Sequence, residues 1–567
     1  MGAVIFLILF SLLFPARADA LYDPQSVANN RFGVHIADVN DITDVAGFVN
    51  SSGGDWGYVT VVIEENDRTH GKWQELFNTM RRLHLIPLIR LATTLDGAVW
   101  KAPNETSIPE WVDFLNGLNW PTENRYIILF NEPNHAKEWG GDINAEEYAQ
   151  IAVSFARALK LASEDFFILP AGLDASAGKS KDTLDEVTFL RRMVASEPDI
   201  LSLLDGWTSH AYPNPDFQGK PGTRGRGSLG SFLWELAILR SLGMTRDVPV
   251  FITETGWTHR EGKTTDLSLV PAETVSSYVQ NAAQSIWQDP HIAAITPFIF
   301  NYQDIPFDHF SFRRMGNNGY YPHYDTYREL EKIKGEPKQR HRYVIKKDSI
   351  PKLLVTDSHY VLTQPLTNTG QGILDTEEGF AVALDAPSEF TMLEYSLPHI
   401  EPNETGEIVL QLKTPVKTGR YPVRLLLKNN YFQTVLSDGV VTLVPPPALN
   451  ISLHVPPKTP QEIPGARVTV SSGVSKLHVF DGRAVIGGNV FIPDLTNVVP
   501  GQTYDITVEL AGYFTKSVNT AVTSEVTYVP LGTFFPFDAN GNGSFDIPDL
   551  GSIIDNAPFT ILRYILQ

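Results

Sequence analysis

From residue 31 to about 333, short apolar runs alternate with longer stretches in which apolar residues recur at helical spacing. The runs are RFGVHIA, WGYVTVVI, LIPLIRLA, YIILFNE, FFILPAGL, DGWTSHAY, VPVFITE and ITPFIFN, eight in all. They are apolar at successive positions, as parallel strands covered on both faces are. Between them, INAEEYAQIAVSFARALKLAS places Tyr148, Ile151, Ala152, Phe155 and Leu159 on one helical face, with Asn144 and Glu147 spaced as a capping box. Strand-helix units repeated eight times predict an α/β fold, a closed parallel (β/α)8 (TIM) barrel, over residues 21–335. An open doubly wound sheet is the alternative.

Past residue 335 the period changes. The connector KGEPKQRHRYVIKKDS leads into alternating segments such as EIVLQLKTP and RYPVRLLLKNN, which predict an all-β, sandwich-like domain over 345–447. The Pro-rich stretch VPPPALNISLHVPPKTPQEIPG, centred on 448–464, reads as a stiff linker, because closely spaced prolines hold a chain extended. A second small β-domain is expected over 465–532, where VPGQTYDITVELAGYF alternates between turn signals, and a short segment, 533–567, completes the chain.

Composition narrows the partners. With 567 residues and 43% hydrophobic positions the chain can bury several cores. Its net charge of -20 disfavours nucleic acid and anionic membrane surfaces, which need a Lys/Arg footprint. The absence of cysteine excludes disulfides, thiolate metal sites and cysteine nucleophiles. At the start, MGAVIFLILFSLLFPARADA combines an apolar run with a small-x-small Ala18-Asp19-Ala20 step, the pattern of a secretory signal peptide over 1–20, although no Lys or Arg precedes the run. A secreted or cell-surface protein with no membrane span after cleavage is expected.

The apolar run YIILF turns abruptly polar at Asn131-Glu132-Pro133. In a (β/α)8 barrel the strand C-termini build the active site, so Glu132 would sit at the mouth, and Glu254 at the end of VPVFITE would share that rim. Two carboxylates facing one cleft suit glycosidic bond cleavage: one protonates the leaving oxygen, the other acts on the anomeric carbon. Like charges so close would push one pKa up and keep that group protonated.

FNEP and ITETGW resemble the closing motifs of strands four and seven in the retaining β-glycoside hydrolases of clan A, over about residues 31–333. The resemblance implies that Glu132 is the acid/base and Glu254 the nucleophile, that Asn131 bonds the sugar 2-hydroxyl, and that His210 and Tyr212 flank the nucleophile. The family's Arg lies near the end of strand two, whereas here Arg90 on strand three is the candidate. Strand eight offers Phe300, Asn301 and Tyr302 where the family commonly has a Trp. Independently, Trp139, Trp207, Trp257 and Tyr302 are expected near strand ends, either stacking on sugar or packing the loops.

A different chemistry is written in DANGNGSFDIPD. Asp538, Asn540, Asn542, Ser544, Asp546 and Asp549 supply oxygens at calcium-loop spacing, with Gly543 at the sharp turn. This resembles one loop of a bacterial dockerin, which implies Ca2+ and a cohesin-like or cell-surface partner; dockerins carry two such loops. No cofactor is expected for catalysis. GRGSLG, Gly225–Gly230, matches a dinucleotide glycine pattern but follows loop rather than strand, so nucleotide binding is set aside. The function read here is a secreted hydrolase acting on a polysaccharide or oligosaccharide; the alternative is a non-catalytic cell-surface glycan-binding or adhesion protein.

Overall fold

The computed structural model describes residues 21–317, 319–346, 348–455, 463–538 and 546–549. They fall into two units, one running to Arg342 with Gly370–Gly372, the other holding the rest. The expected signal peptide lies outside the described residues.

In the first unit, five strands make one parallel sheet in the order β1 (Gly33–His35), β2 (Gly57–Glu64), β3 (Leu85–Ala92), β6 (Arg125–Leu129), β7 (Phe166–Pro170). Three more, β8 (Trp207–His210), β9 (Val250–Glu254) and β10 (Ile292–Ile295), make a second parallel sheet. Single parallel bridges, Phe32 to Ile295 and Asp174 to His210, join the two sheets at both ends. The small hairpin β4 (Leu95–Asp96) and β5 (Val99–Trp100) interrupts the series after β3. Each of the eight long-sheet strands is followed by helix: α1 (Ile42–Val49), α2 (His70–Arg82), α3 (Ile108–Gly117), α4 (Ala145–Ala162), α5 (Glu186–Ser196) with α6 (Ile200–Leu203), α7 (Ser231–Ser241), α8 (Ala272–Ala283) and α9 (Pro322–Glu329). No helix among the described residues is long and apolar enough to cross a membrane.

The strands are apolar on both faces because both are buried, and alternate residues serve different cores. Tyr58, Leu88, Tyr126, Phe167 and Phe251 pack together in one cluster. Val59, Ile89, Ile127, Ile168 and Ile252 pack against the helices, with Phe155 and Leu159 of α4 among their neighbours. Asn144 caps α4 by accepting the Glu147 N–H at 3.1 Å. The expected capping box is only half made: the Glu147 carboxylate instead accepts the Trp139 indole N–H at 2.9 Å.

Two sequence expectations shift. The eighth strand is Ile292–Ile295, earlier than ITPFIFN suggests; Pro297 has no N–H to give a ladder, so the chain leaves the sheet there. In the second unit, the stretch expected as a stiff linker contains a strand, Ala448–His454, paired in parallel with Val526–Thr533 and antiparallel with Asn489–Ile492. The prolines flank this heptad without entering it, which leaves Leu449, Ile451 and Leu453 free to alternate into a core.

The rest of this unit is antiparallel-rich sheet. One pair of four-stranded sheets spans Tyr343–Val344 to Val444 around Leu362, Leu366, Leu410, Leu412, Leu425 and Leu427. The strands beyond form a three-stranded and a four-stranded sheet around Leu449, Ile451, Val468, Val470, Ile506 and Val508, with a two-stranded pair, Gly512–Tyr513 and Pro536–Asp538, beside them in sequence. Of the six expected calcium ligands, Asn540, Asn542 and Ser544 lie outside the described residues. Asp546 and Asp549 each accept the other's backbone N–H, at 3.3 and 2.9 Å, the reciprocal pattern of a helix capping box. Asp538 is buried.

Candidate active site

Arg90 follows Leu88 by two residues on β3, so it points to the same side as the inner aromatic cluster. His210 and Glu254 are the last residues of β8 and β9 and pair across the sheet through a register shift. Glu132 is not on the strand end where its sequence placed it: β6 stops at Leu129, and Glu132 lies three residues further on. Phe130 and Glu132 both take positive φ, +74° and +30°, a turn that β-branched residues would resist. Two backbone bonds fix that turn, Glu132 N–H to the Gly172 carbonyl at 3.0 Å and His135 N–H to the Glu132 carbonyl at 2.8 Å.

These elements bring the two glutamates together. Ligand-type atoms of Glu132, His210 and Glu254 all lie within 4.8 Å of one another. The His210 Nδ1 is 2.8 Å from the Glu132 carboxylate and 3.8 Å from that of Glu254. Glu254 is held from both sides: Arg90 donates to Oε1 at 2.5 Å and the Tyr212 hydroxyl to Oε2 at 3.0 Å. The same Arg90 nitrogen donates to the Asn131 carbonyl oxygen at 2.8 Å, and the Asn131 amide donates to Glu138 at 3.2 Å. His35 lies 3.8 Å from Glu254.

The electrostatics separate the groups. Burial alone would raise the Glu254 carboxyl, but His210 and Arg90, then His35 and the Tyr212 hydroxyl, hold it at about 2. It is ionised at neutral pH. Burial opposes charge on His210 as well, yet the Glu254 and Glu132 carboxylates raise it above the ordinary imidazole value. His35, by contrast, is pushed down to about 3 by burial and by Arg90, so it is neutral except in strong acid, where its charge adds to the pull on Glu254. The expectation that one of the paired carboxyls is raised does not apply to Glu254, where the neighbouring cations outweigh burial.

A cleft of about 400 Å3 opens over these groups. Its lining includes Arg90, Asn131, Glu132, Tyr212 and Glu254 as expected, joined by Trp100, Phe217, Phe298, Phe307 and Phe310. Trp139, Trp207 and Trp257 do not line it. Each is almost wholly buried and donates its indole N–H inward, to Glu147, Glu235 and the Gly219 carbonyl respectively, so the packing reading holds for all three. Tyr302 does not line it either; its ring meets Phe307 edge-on at 5.4 Å.

Sequence reasoning missed several residues. Trp100 is carried into the cleft by the hairpin β4–β5, whose Asp96-Gly97 turn, with Gly97 at φ +65°, was a readable hairpin signal. His135, whose Nε2 lies 2.9 Å from the Asp174 carboxylate, and Glu138 had no such signal. Gly172 is the least visible. A Cβ there would sit 2.2 Å from His210 Cδ2, so only glycine lets the imidazole lie against this loop and reach Glu132. Gly172→Ala is therefore expected to displace His210 and lower turnover by about 100-fold, the effect of an ångström-scale misplacement. Steady-state kinetics alongside near-UV circular dichroism will check it; unchanged kinetics in a folded variant would show that His210 placement is unimportant.

The chain matches no known family model and no curated protein. Among solved structures it is similar to a family 39 glycoside hydrolase from Bacteroides cellulosilyticus WH2, at 14% identity and TM-score 0.38 over 70% of this chain and 82% of that one. It is also similar to fungal β-1,4-galactanases, at 12% identity and TM-score 0.39 over 53% of this chain and 100% of theirs. A third is AbfB, a family 51 α-L-arabinofuranosidase from Bifidobacterium longum, at 10% identity and TM-score 0.36 over 87% and 98%. At such scores these likenesses say nothing of what this chain acts on.

Proposed function

We propose that this chain is a secreted glycoside hydrolase that cleaves β-glycosidic bonds of a polysaccharide or oligosaccharide by retaining double displacement on a (β/α)8 barrel. The observation that carries the reading is the approach of a carboxylate oxygen of Glu132 to one of Glu254 within 4.8 Å, which puts both acids on one sugar-sized site and supports the close pairing, roughly 5 Å, of a retaining enzyme. The groups divide by what surrounds them. Glu254, ionised and gripped by Arg90 and Tyr212, attacks the anomeric carbon and forms the glycosyl-enzyme. Glu132 gives its proton to the leaving oxygen and then takes one from water, so its two roles follow each other across the same bond. Asn131, pinned by Arg90 and Glu138, keeps an amide N–H for a sugar hydroxyl.

The same three side chains could in principle surround a cation, but the Arg90 guanidinium already neutralises Glu254 at 2.5 Å. The test is a panel of β-glucans, mannans, xylans and galactans assayed for reducing ends, with NMR of the first anomer released. Retained configuration is expected from the wild-type protein. Inverted product would overturn the nucleophile assignment, and no cleavage of any substrate would favour a non-catalytic glycan binder.

The export signal and the calcium loop belong to this proposal too. Asp538, Asn540, Asn542, Ser544, Asp546 and Asp549 offer the hard oxygen set that Ca2+ takes. Binding to the folded chain only would stabilise it by about 2.7 kcal/mol at 100 times Kd. Calorimetry with added Ca2+ against EGTA is expected to show a higher transition temperature with the metal, and Asp538→Ala with Asp549→Ala to abolish the difference; identical traces would remove calcium from the account.

A further inference from the structure

Two buried acids take no part in the chemistry above. Glu235, on α7, is wholly enclosed and accepts two hydrogen bonds from β8: Trp207 Nε1 to Oε2 at 2.7 Å and Ser209 Oγ to Oε1 at 2.8 Å. Glu186, the first residue of α5, is also buried, with a carboxyl oxygen that has no hydrogen-bond partner. A carboxylate away from water is costly unless something requires it. Apolar residues at 186 and 235 would fill such space more cheaply.

We propose that Glu235 is a positioning residue, clamping β8 on both sides of Thr208 so that the next residue, His210, meets Glu132. The inference rests on the glycosidase reading above. The geometry is direct: Trp207 and Ser209 reach Glu235 on one side of the strand, which leaves the alternate residue, His210, on the other, where its Nδ1 meets Glu132. Gly172 leaves room for the imidazole but supplies no grip; the clamp supplies it.

The charged groups acting on the pair are few. Glu235 feels His210; Glu186 feels Glu235, Arg226, Asp174 and Asp185. Burial pushes Glu235 up to about 7. Protonation leaves one oxygen to accept from Trp207 Nε1 and turns the other into an O–H that donates to Ser209 Oγ, so the clamp does not depend on the charge of Glu235.

Glu235→Leu and Glu235→Gln test this, read by kcat, KM and the NMR titration of the His210 imidazole. Glu235→Leu is expected to lose 30- to 100-fold in kcat with KM within threefold, and to lower the His210 midpoint as its contact with Glu132 lengthens. Glu235→Gln, which can still accept from Trp207 and donate to Ser209, should recover to within about fivefold. If Glu235→Leu does not fold, Ser209→Ala and Trp207→Phe remove the donors singly, each expected to shift the His210 midpoint. A folded Glu235→Leu, or both single variants, with kcat and His210 titration like wild type would overturn the clamp. The His210 titration does not need activity: a protein that hydrolyses nothing refutes the glycosidase reading, while an unmoved His210 refutes this one.

Discussion

Glu254→Gln should lose at least about 10^4-fold in kcat on every glycoside the wild-type protein cleaves, because an amide cannot form the covalent sugar ester. The substitution is nearly isosteric, so Arg90 and Tyr212 can still find an oxygen or nitrogen to face, and substrate affinity should survive better than turnover. Stability should change with pH in a defined direction. Burial costs Glu254, but His210 and Arg90 bring its carboxyl to about 2 from an ordinary 4.5, so its ionised form favours the folded state. That contribution is present above the unfolded value and lost as pH falls through the folded one. At 1.36 kcal/mol per unit it is on the order of 3 kcal/mol at pH 7. Denaturation of wild type and variant from pH 7 to 2 should therefore show a gap that closes toward acid. A variant with wild-type turnover would remove Glu254 from the chemistry; a gap that widens in acid would contradict its ionised state.

The part of this site that could be read in the sequence is the part that depends on strand order. Glu132 and Glu254 are 122 positions apart, yet counting strand-helix units places both on one rim, and the structure brings them together. Arg90, Asn131, His210 and Tyr212 follow because they sit on or beside the same strand ends, although His210 is buried and does not line the cleft. What could not be read depends on side-chain direction and on loops without a period. Burial, which one sequence does not state, decides that Trp139 and Trp257 are core while Trp100 lines the cleft. Phe217, Phe298, Phe307 and Phe310 come from loops after β8 and β10, where no alternation marks a wall residue. The eighth strand was displaced because Ala293 and Ala294 carry little β signal, while the apolar residues flanking Pro297 carry more. Gly172 acts by lacking a side chain, and nothing local distinguishes it from any loop glycine.

Arg90→Met should separate charge from placement at the nucleophile. Arg90 is the one guanidinium lining the cleft among the described residues, and its nitrogen joins Asn131 to Glu254 at 2.8 and 2.5 Å. Methionine fills similar space but leaves a buried carboxylate with one cation fewer. Burial, the largest influence on Glu254, is then opposed by His210 and the Tyr212 hydrogen bond without the guanidinium, so the carboxyl should rise from about 2 toward its ordinary value. Because only the ionised form attacks, the acid limb of kcat/KM should move to higher pH by the same amount. Above that limb a further loss of about 10^2 to 10^3-fold is expected, since Asn131 loses its anchor and the nucleophile its orientation. Arg90→Lys divides the two effects. Its ammonium keeps a positive charge near Glu254, so the limb should stay low, but it lacks the planar fork and should recover only part of the rate. A pH-rate series on the three proteins decides it: if Arg90→Met keeps the wild-type acid limb, the guanidinium is scaffold, and His210 alone holds the nucleophile in its charged form.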